Sequence, residues 1–158
     1  MYANEQKPSS GPAPTALTED ELSQLLREQQ FAVLASVKRS GHPHLSTVLY
    51  HWSPEERVIR ISTTADRLKA RQLRRDPHAA LHVAGPNVWS FAVAEGDAEV
   101  SGVTTQAGDA IGRELLAMTP GFEDPTAFLE QAVSDRRVVV RIRVSRLYGT
   151  ILGIPGGE

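Results

Sequence analysis

Apolar and polar positions along the chain define a succession of short elements. Thr18-Glu19-Asp20-Glu21 has the form of a capping box, and Leu22, Leu25 and Leu26 follow at helical spacing, predicting a helix that ends near Gln30. Phe31–Val37, His44–Trp52 and Val58–Thr63 are apolar, β-branched runs separated by the turn sequences Arg39-Ser40-Gly41-His42-Pro43 and Ser53-Pro54-Glu55-Glu56-Arg57, so they read as an antiparallel meander. A short basic helix follows and must stop at Asp76-Pro77, because proline disfavours helix in the residue before it. His78–Ala84 and Val88–Val100 read as strands, with Gly96 marking a bulge or a close approach. Thr104–Met118 and Pro125–Val133 read as helices. Arg137–Val144 alternates cleanly at its end, with Val140, Ile142 and Val144 on one face and Arg141 and Arg143 on the other; a last short strand is expected over Leu147–Leu152. This order is not a βαβ pattern. It points to a mainly β, α+β chain: an antiparallel split β-barrel of six to seven strands with short flanking helices.

The first residues, 1–16, are Pro/Ser/Gly-rich and are expected to form a disordered arm. The folded domain is expected over 17–152, followed by a flexible tail, 153–158. The 158-residue length fits one domain. Without cysteine, thiolate and disulfide chemistry are excluded. No apolar run reaches membrane-span length and no secretory signal is visible, so the expectation is a cytoplasmic protein without membrane partners.

Charge changes the picture at one place. The net charge is −2, yet five of the nine residues from Arg67 to Arg75 are basic. They follow a strand and open a helix, where cations oppose the helix dipole. With Asp66 as the expected N-cap, Arg67, Arg71 and Arg74 fall within about 60° of one another, and Lys69 points towards the packed side. Two readings compete: a solvated basic face, or a seat for an anion, most simply a phosphate. The acidic overall charge argues against nucleic acid.

The five histidines form no helical i, i+4 pair. The pairs His42/His44 and His78/His82 have even strand spacing, but surface positions are the simpler explanation, and no metal site is expected. GxSxG, Walker and GxGxxG motifs are absent. Trp89 and Phe91 share a strand face by alternation, and either could stack on a planar ring.

Taken together, Phe31–Val37 with Gly41-His42-Pro43, the run His44–Tyr50, the basic helix to Pro77, Trp89–Gly96 and Asp135-Arg136-Arg137-Val138 resemble the split β-barrel flavin/deazaflavin oxidoreductases related to pyridoxamine 5′-phosphate oxidase, and within them the actinobacterial branch dependent on coenzyme F420. The resemblance implies a homodimer with cofactor grooves between subunits. It places the cofactor ring against Thr47, Val48, Leu49 and Tyr50 and its phosphate-bearing chain along Ile61, Ser62 and Thr63. It also implies that Arg67 and Lys69 hold the phosphate with support from Gln72, that Trp89 lies near the cofactor, and that Arg136 or Arg137 reaches in from the partner chain. Thr47 and Leu49 stand where some relatives carry Asn and Gln, which removes hydrogen-bonding capacity near the ring. The C-terminal substrate signature of true pyridoxamine phosphate oxidases is missing, so vitamin B6 oxidation is not expected.

The implied activity is hydride transfer from reduced F420 to an unsaturated small-molecule acceptor. FMN with ordinary flavin chemistry is the alternative cofactor, and a non-catalytic binder of a phosphorylated cofactor is the alternative class. No catalytic residue can be named; Tyr50 and His51 are the candidate proton donors.

Overall fold

The computed structural model describes residues 13–152. The expected arm and tail therefore lie largely outside the described residues. Within the arm, Thr15–Ala16 form a two-residue strand, β1.

Helix α1 (Glu19–Glu28) begins with the expected capping box, in which Thr18 Oγ1 accepts from the Glu21 amide at 3.2 Å. Its buried Leu22, Leu25 and Leu26 join the main core. Strands β2 (Phe31–Val37), β3 (Pro43–Leu49), β4 (His51–Ser53) and β5 (Val58–Thr64) follow. Helix α2 (Leu68–Arg75) precedes β6 (His78–Ala84) and β7 (Phe91–Val100). Helices α3 (Ala110–Ala117) and α4 (Pro125–Ser134) precede the 15-residue β8 (Arg137–Ile151).

All pairings are antiparallel, in the order β3-β2-β6-β7-β8-β5-β4, with β1 on β8. β3 and β4 lie at opposite ends of this order, yet only Tyr50 separates them in the chain. The sheet must therefore curl until its two edges meet, and the result is a split barrel. Ile59, Ile61, Leu81, Val140 and Ile142 fill its interior. Helices α3 and α4 cover a second cluster around Leu115, Ala132 and Val139 on the outside.

Three expectations about elements change. The run from His44 to Trp52 is two strands on two different edges, and β3 and β5 share no ladder, so the meander is broken. The expected pair of C-terminal strands is one strand, β8, interrupted by a bulge: Glu95 pairs with Arg146 and Gly96 with Val144, leaving Ser145 extra. The helix expected from Thr104 starts only at Ala110. Asp109 is its N-cap and accepts from the amides of Thr105, Gln106 and Gly112 and from Thr104 Oγ1, which holds the preceding residues in a compact loop.

Candidate functional site

Helix α2 starts without a side-chain cap. Arg67, not Asp66, is the N-cap residue, with φ −66° and ψ 144°. Asp66 instead accepts from Thr64 Oγ1 at 2.6 Å, and that bond above all holds its carboxyl below the usual range. The positive end of the helix is thus left to whatever binds there.

The five cations of this segment divide into two groups. Arg74 donates to the Ser101 carbonyl at 2.8 Å and Arg75 to the Val37 carbonyl at 2.6 Å, so both fasten the helix to the barrel. The expected cationic face therefore loses Arg74. Arg67, Lys69 and Arg71 make no ion pair or side-chain hydrogen bond among the described residues. Arg67 and Arg71 are exposed, whereas Lys69 is half-buried. Burial, and then the charge of Arg67, lowers the Lys69 pKa below the ordinary lysine value.

A fourth cation joins them from the same chain. The Ala65 amide donates to the Arg136 carbonyl at 3.1 Å, and the charges of Arg136 and Arg67 both act on Asp66. Arg137 donates to Ser62 Oγ at 3.3 Å and lies 3.7 Å from Asp135. These arginines thus stand at the end of β5 of their own protomer. Nothing in the sequence marks this adjacency, because it depends on the pairing of Thr64 with Arg137.

Gln72 is buried, and its Oε1 accepts from Ser36 Oγ at 2.6 Å and from His44 Nδ1 at 2.8 Å. It braces α2 against β2 and β3. On β5, Ile61 and Thr63 are buried on the inward face; only Ser62 of the three turns outward.

On β3, Thr47 and Leu49 point outward and are exposed, whereas Val48 belongs to the core. Tyr50 donates to the Leu26 carbonyl at 2.6 Å, and burial raises its hydroxyl pKa well above the ordinary tyrosine value. Its hydroxyl ties β3 and β4 to the backbone of α1. His51 is exposed on β4. Trp89 is not on a strand: it occupies the turn before β7, where its amide donates to Asn87 Oδ1 at 2.7 Å. That turn lies at the far end of β6 from α2, about 20 Å along the strand. One protomer does not bring Trp89 to Arg67 and Lys69.

The outer face of β2, β3 and β6 is apolar. Phe31, Val33, Leu45 and Leu49 are exposed there, and Phe31 pairs directly with Leu49. His82, opposite Val33, stacks on Phe91 with ring centres 5.3 Å apart. A cleft of about 410 Å³ opens beside this face, between Pro43, His78, Glu95 and Arg146. Among the described residues there is no cluster of three or more potential metal ligands and no helix long and apolar enough to cross a membrane.

A curled antiparallel sheet with an uncapped, cation-rich helix start defines a split-barrel protein. Residues 18–150 match the family model described as pyridoxamine 5′-phosphate oxidase, and the chain belongs to that family. Among solved structures, it is similar to a conserved hypothetical protein of Mycobacterium tuberculosis at 24% identity and a TM-score of 0.69, with 90% of this chain and 91% of that one covered. An F420 reductase matches at 22% identity and a TM-score of 0.61, covering 79% and 94%. An FAD-binding protein of Mesorhizobium loti matches at 20% identity and a TM-score of 0.61, covering 87% and 96%. At these identities the likeness is one of fold.

Proposed function

We propose that this protein is a homodimeric oxidoreductase that holds reduced coenzyme F420 and passes hydride to an unsaturated organic small molecule. The observation that carries this reading is the pair Arg67 and Lys69, unpaired beside an uncapped helix start in a family of flavin/deazaflavin oxidoreductases. The fold is shared with an F420 reductase and with an FAD-binding protein alike, so it supports a flavin-type ring in general, and the choice of deazaflavin rests on the sequence resemblance.

When bound, the cofactor supplies the hydride-transfer chemistry. The protein's part is to bind, orient and exclude water. Arg67 and Lys69 neutralise the phosphate, and Ser62 and Arg137 line the end of β5 next to it. Thr47 and Leu49 offer an outward surface of low polarity for a ring. Covering that surface with a second subunit would bury the exposed Phe31, Val33, Leu45 and Leu49 and exclude water from the ring. Trp89, remote from α2 within its own subunit, could meet the cofactor only across such an interface.

FMN is the second reading, because a cation pair at a helix start requires only a phosphate and does not select the ring. Titration of the purified protein with F420 and with FMN, followed by turnover of reduced F420 against a panel of unsaturated acceptors, tests the choice. Tighter binding of F420 with acceptor-dependent oxidation is the expected result. Binding of FMN alone, at about micromolar affinity or better, would overturn the deazaflavin assignment.

A further inference from the structure

We propose that the outer face of β2, β3 and β6 binds a second copy of itself about one particular two-fold axis, which crosses the strands along the row Thr47, Val33 and His82. This register presupposes the homodimer of the reading above, and no part of it depends on the cofactor.

Strand pairing sets out three rows across the face. Val33 pairs with Thr47 on one side and with His82 on the other. Phe31 and Leu49 form the next row in one direction; Leu45, Ala35 and Ala80 form the next row in the other. The face is uneven along β2. Phe31 stands out at 62% exposure, whereas Ala35 and Ala80 line the cleft of about 410 Å³. A two-fold interface brings one patch against itself, so each knob must meet a hollow of the same patch. An axis across the strands at Val33 sets Phe31 over the partner's Ala35, and the reciprocal contact follows. It also sets Leu45 over the partner's Leu49. Each ring then enters a hollow, and apolar side chains meet apolar ones. An axis laid along β2 would instead set Phe31 on the partner's Phe31 and leave the two hollows facing each other.

Charge selects the same axis. Helix α1 adjoins the Phe31 end of the face, for it stops at Glu28, and it carries four carboxylates and one arginine. Helix α2 adjoins the other end, where Arg75 donates to the Val37 carbonyl. From Arg67 to Arg75 there are five cations and no carboxylate. An axis across the strands runs β2 antiparallel to its counterpart, so the acidic end of one copy meets the basic end of the other. An axis along β2 sets like charge against like, which opposes association.

The chain has no cysteine, so single introduced thiols report the register. Facing sheets pack about 10 Å apart, within reach of a short bifunctional thiol reagent once both side chains point inward. Val33→Cys should be joined to its own counterpart. Phe31→Cys should not, because positions 31 and 35 stand about 13 Å apart along the strand; mixed with Ala35→Cys, it should give a cross-linked heterodimer. Exchanging the side chains is the second readout. Ala35→Phe alone should raise the dimer Kd about thirtyfold or more, measured by sedimentation. The double variant Phe31→Ala/Ala35→Phe restores ring over alanine and should return the Kd to within a few-fold of wild type. Both positions face outward, so the protomer fold should survive, as circular dichroism checks. Self-joining of Phe31→Cys, or a double variant no better than Ala35→Phe, would overturn the register; a wild type that still sediments as a dimer then keeps the homodimeric reading. A wild type that is monomeric at all concentrations overturns both. F420 and FMN are titrated on the same preparations. The expected cross-links in a protein that binds neither cofactor sustain the register and end the cofactor reading.

Discussion

Gly96 lies against the backbone of Arg143 so closely that a Cβ on it would stand 2.0 Å from the Arg143 carbonyl oxygen. The contact sits at the bulge where β7 and β8 change register. Because the obstacle is backbone and not a flexible side chain, relief requires the two strands to part. Gly96→Ala should cost about 2–3 kcal/mol of stability, read from urea unfolding. An unchanged midpoint would mean that the bulge can absorb a methyl group.

Glu114 of α3 joins two strands through charge. It accepts from Arg141 Nε and Nη2, each at 2.6 Å, and from Arg60 Nε at 3.2 Å. The Arg141 hydrogen bond is the main reason its carboxyl lies below the ordinary glutamate pKa, against the opposing effect of burial. Glu114→Gln should therefore cost about 1–3 kcal/mol at neutral pH. A depressed pKa in the folded state means that this contribution is present above about pH 4.5 and is lost as pH falls through the folded value. The stability difference between wild type and variant should shrink correspondingly in acid. A difference constant from pH 7 to pH 3 would contradict the role given to charge.

Phe31 and Leu49 face each other across β2 and β3, both exposed. If this face joins two subunits, Phe31→Asp or Leu49→Asp should weaken association by about 2 kcal/mol or more. Sedimentation velocity would then find a monomer where the wild type is a dimer. A wild-type protein that sediments as a monomer at all concentrations removes the interface.

Lys69→Gln and Arg67→Gln should each weaken a phosphorylated cofactor by about 1.5–3 kcal/mol, the range for hydrogen bonds to charged groups. Riboflavin, which has the ring without the phosphate, should bind wild type and variants alike. Equal losses for riboflavin would mean that the substitutions act on the ring or on the fold.

Much of this architecture is legible from local pattern. The capping box at Thr18, the alternation of Val140, Ile142 and Val144, and Gly96 at the bulge all carry their structural meaning in sequence. The switch of edge at Tyr50 does not. Val48 and Trp52 are both buried, so the inward alternation continues unbroken while the ladder partner changes from β2 to β5. Conversely, the Ser145 bulge interrupts alternation in β8 and imitates the end of a strand. At the candidate site the basic helix is plain, but its division is not. Which arginines fasten the helix and which remain free depends on the carbonyls of Ser101 and Val37, supplied from distant elements. The positions of Ile61, Ser62 and Thr63 illustrate the same limit: register alone decides which side chains of β5 turn inward and which outward.

β8 pairs with β1, β5 and β7, and without it those three strands have no common neighbour. It is also the last of the described elements to leave the ribosome. Until then the β2–β3 and β4–β5 hairpins have no strand between β7 and β5 to unite them. The polypeptide should accordingly complete its tertiary structure only after translation has passed residue 151, and a nascent chain stalled before Arg137 should remain sensitive to protease.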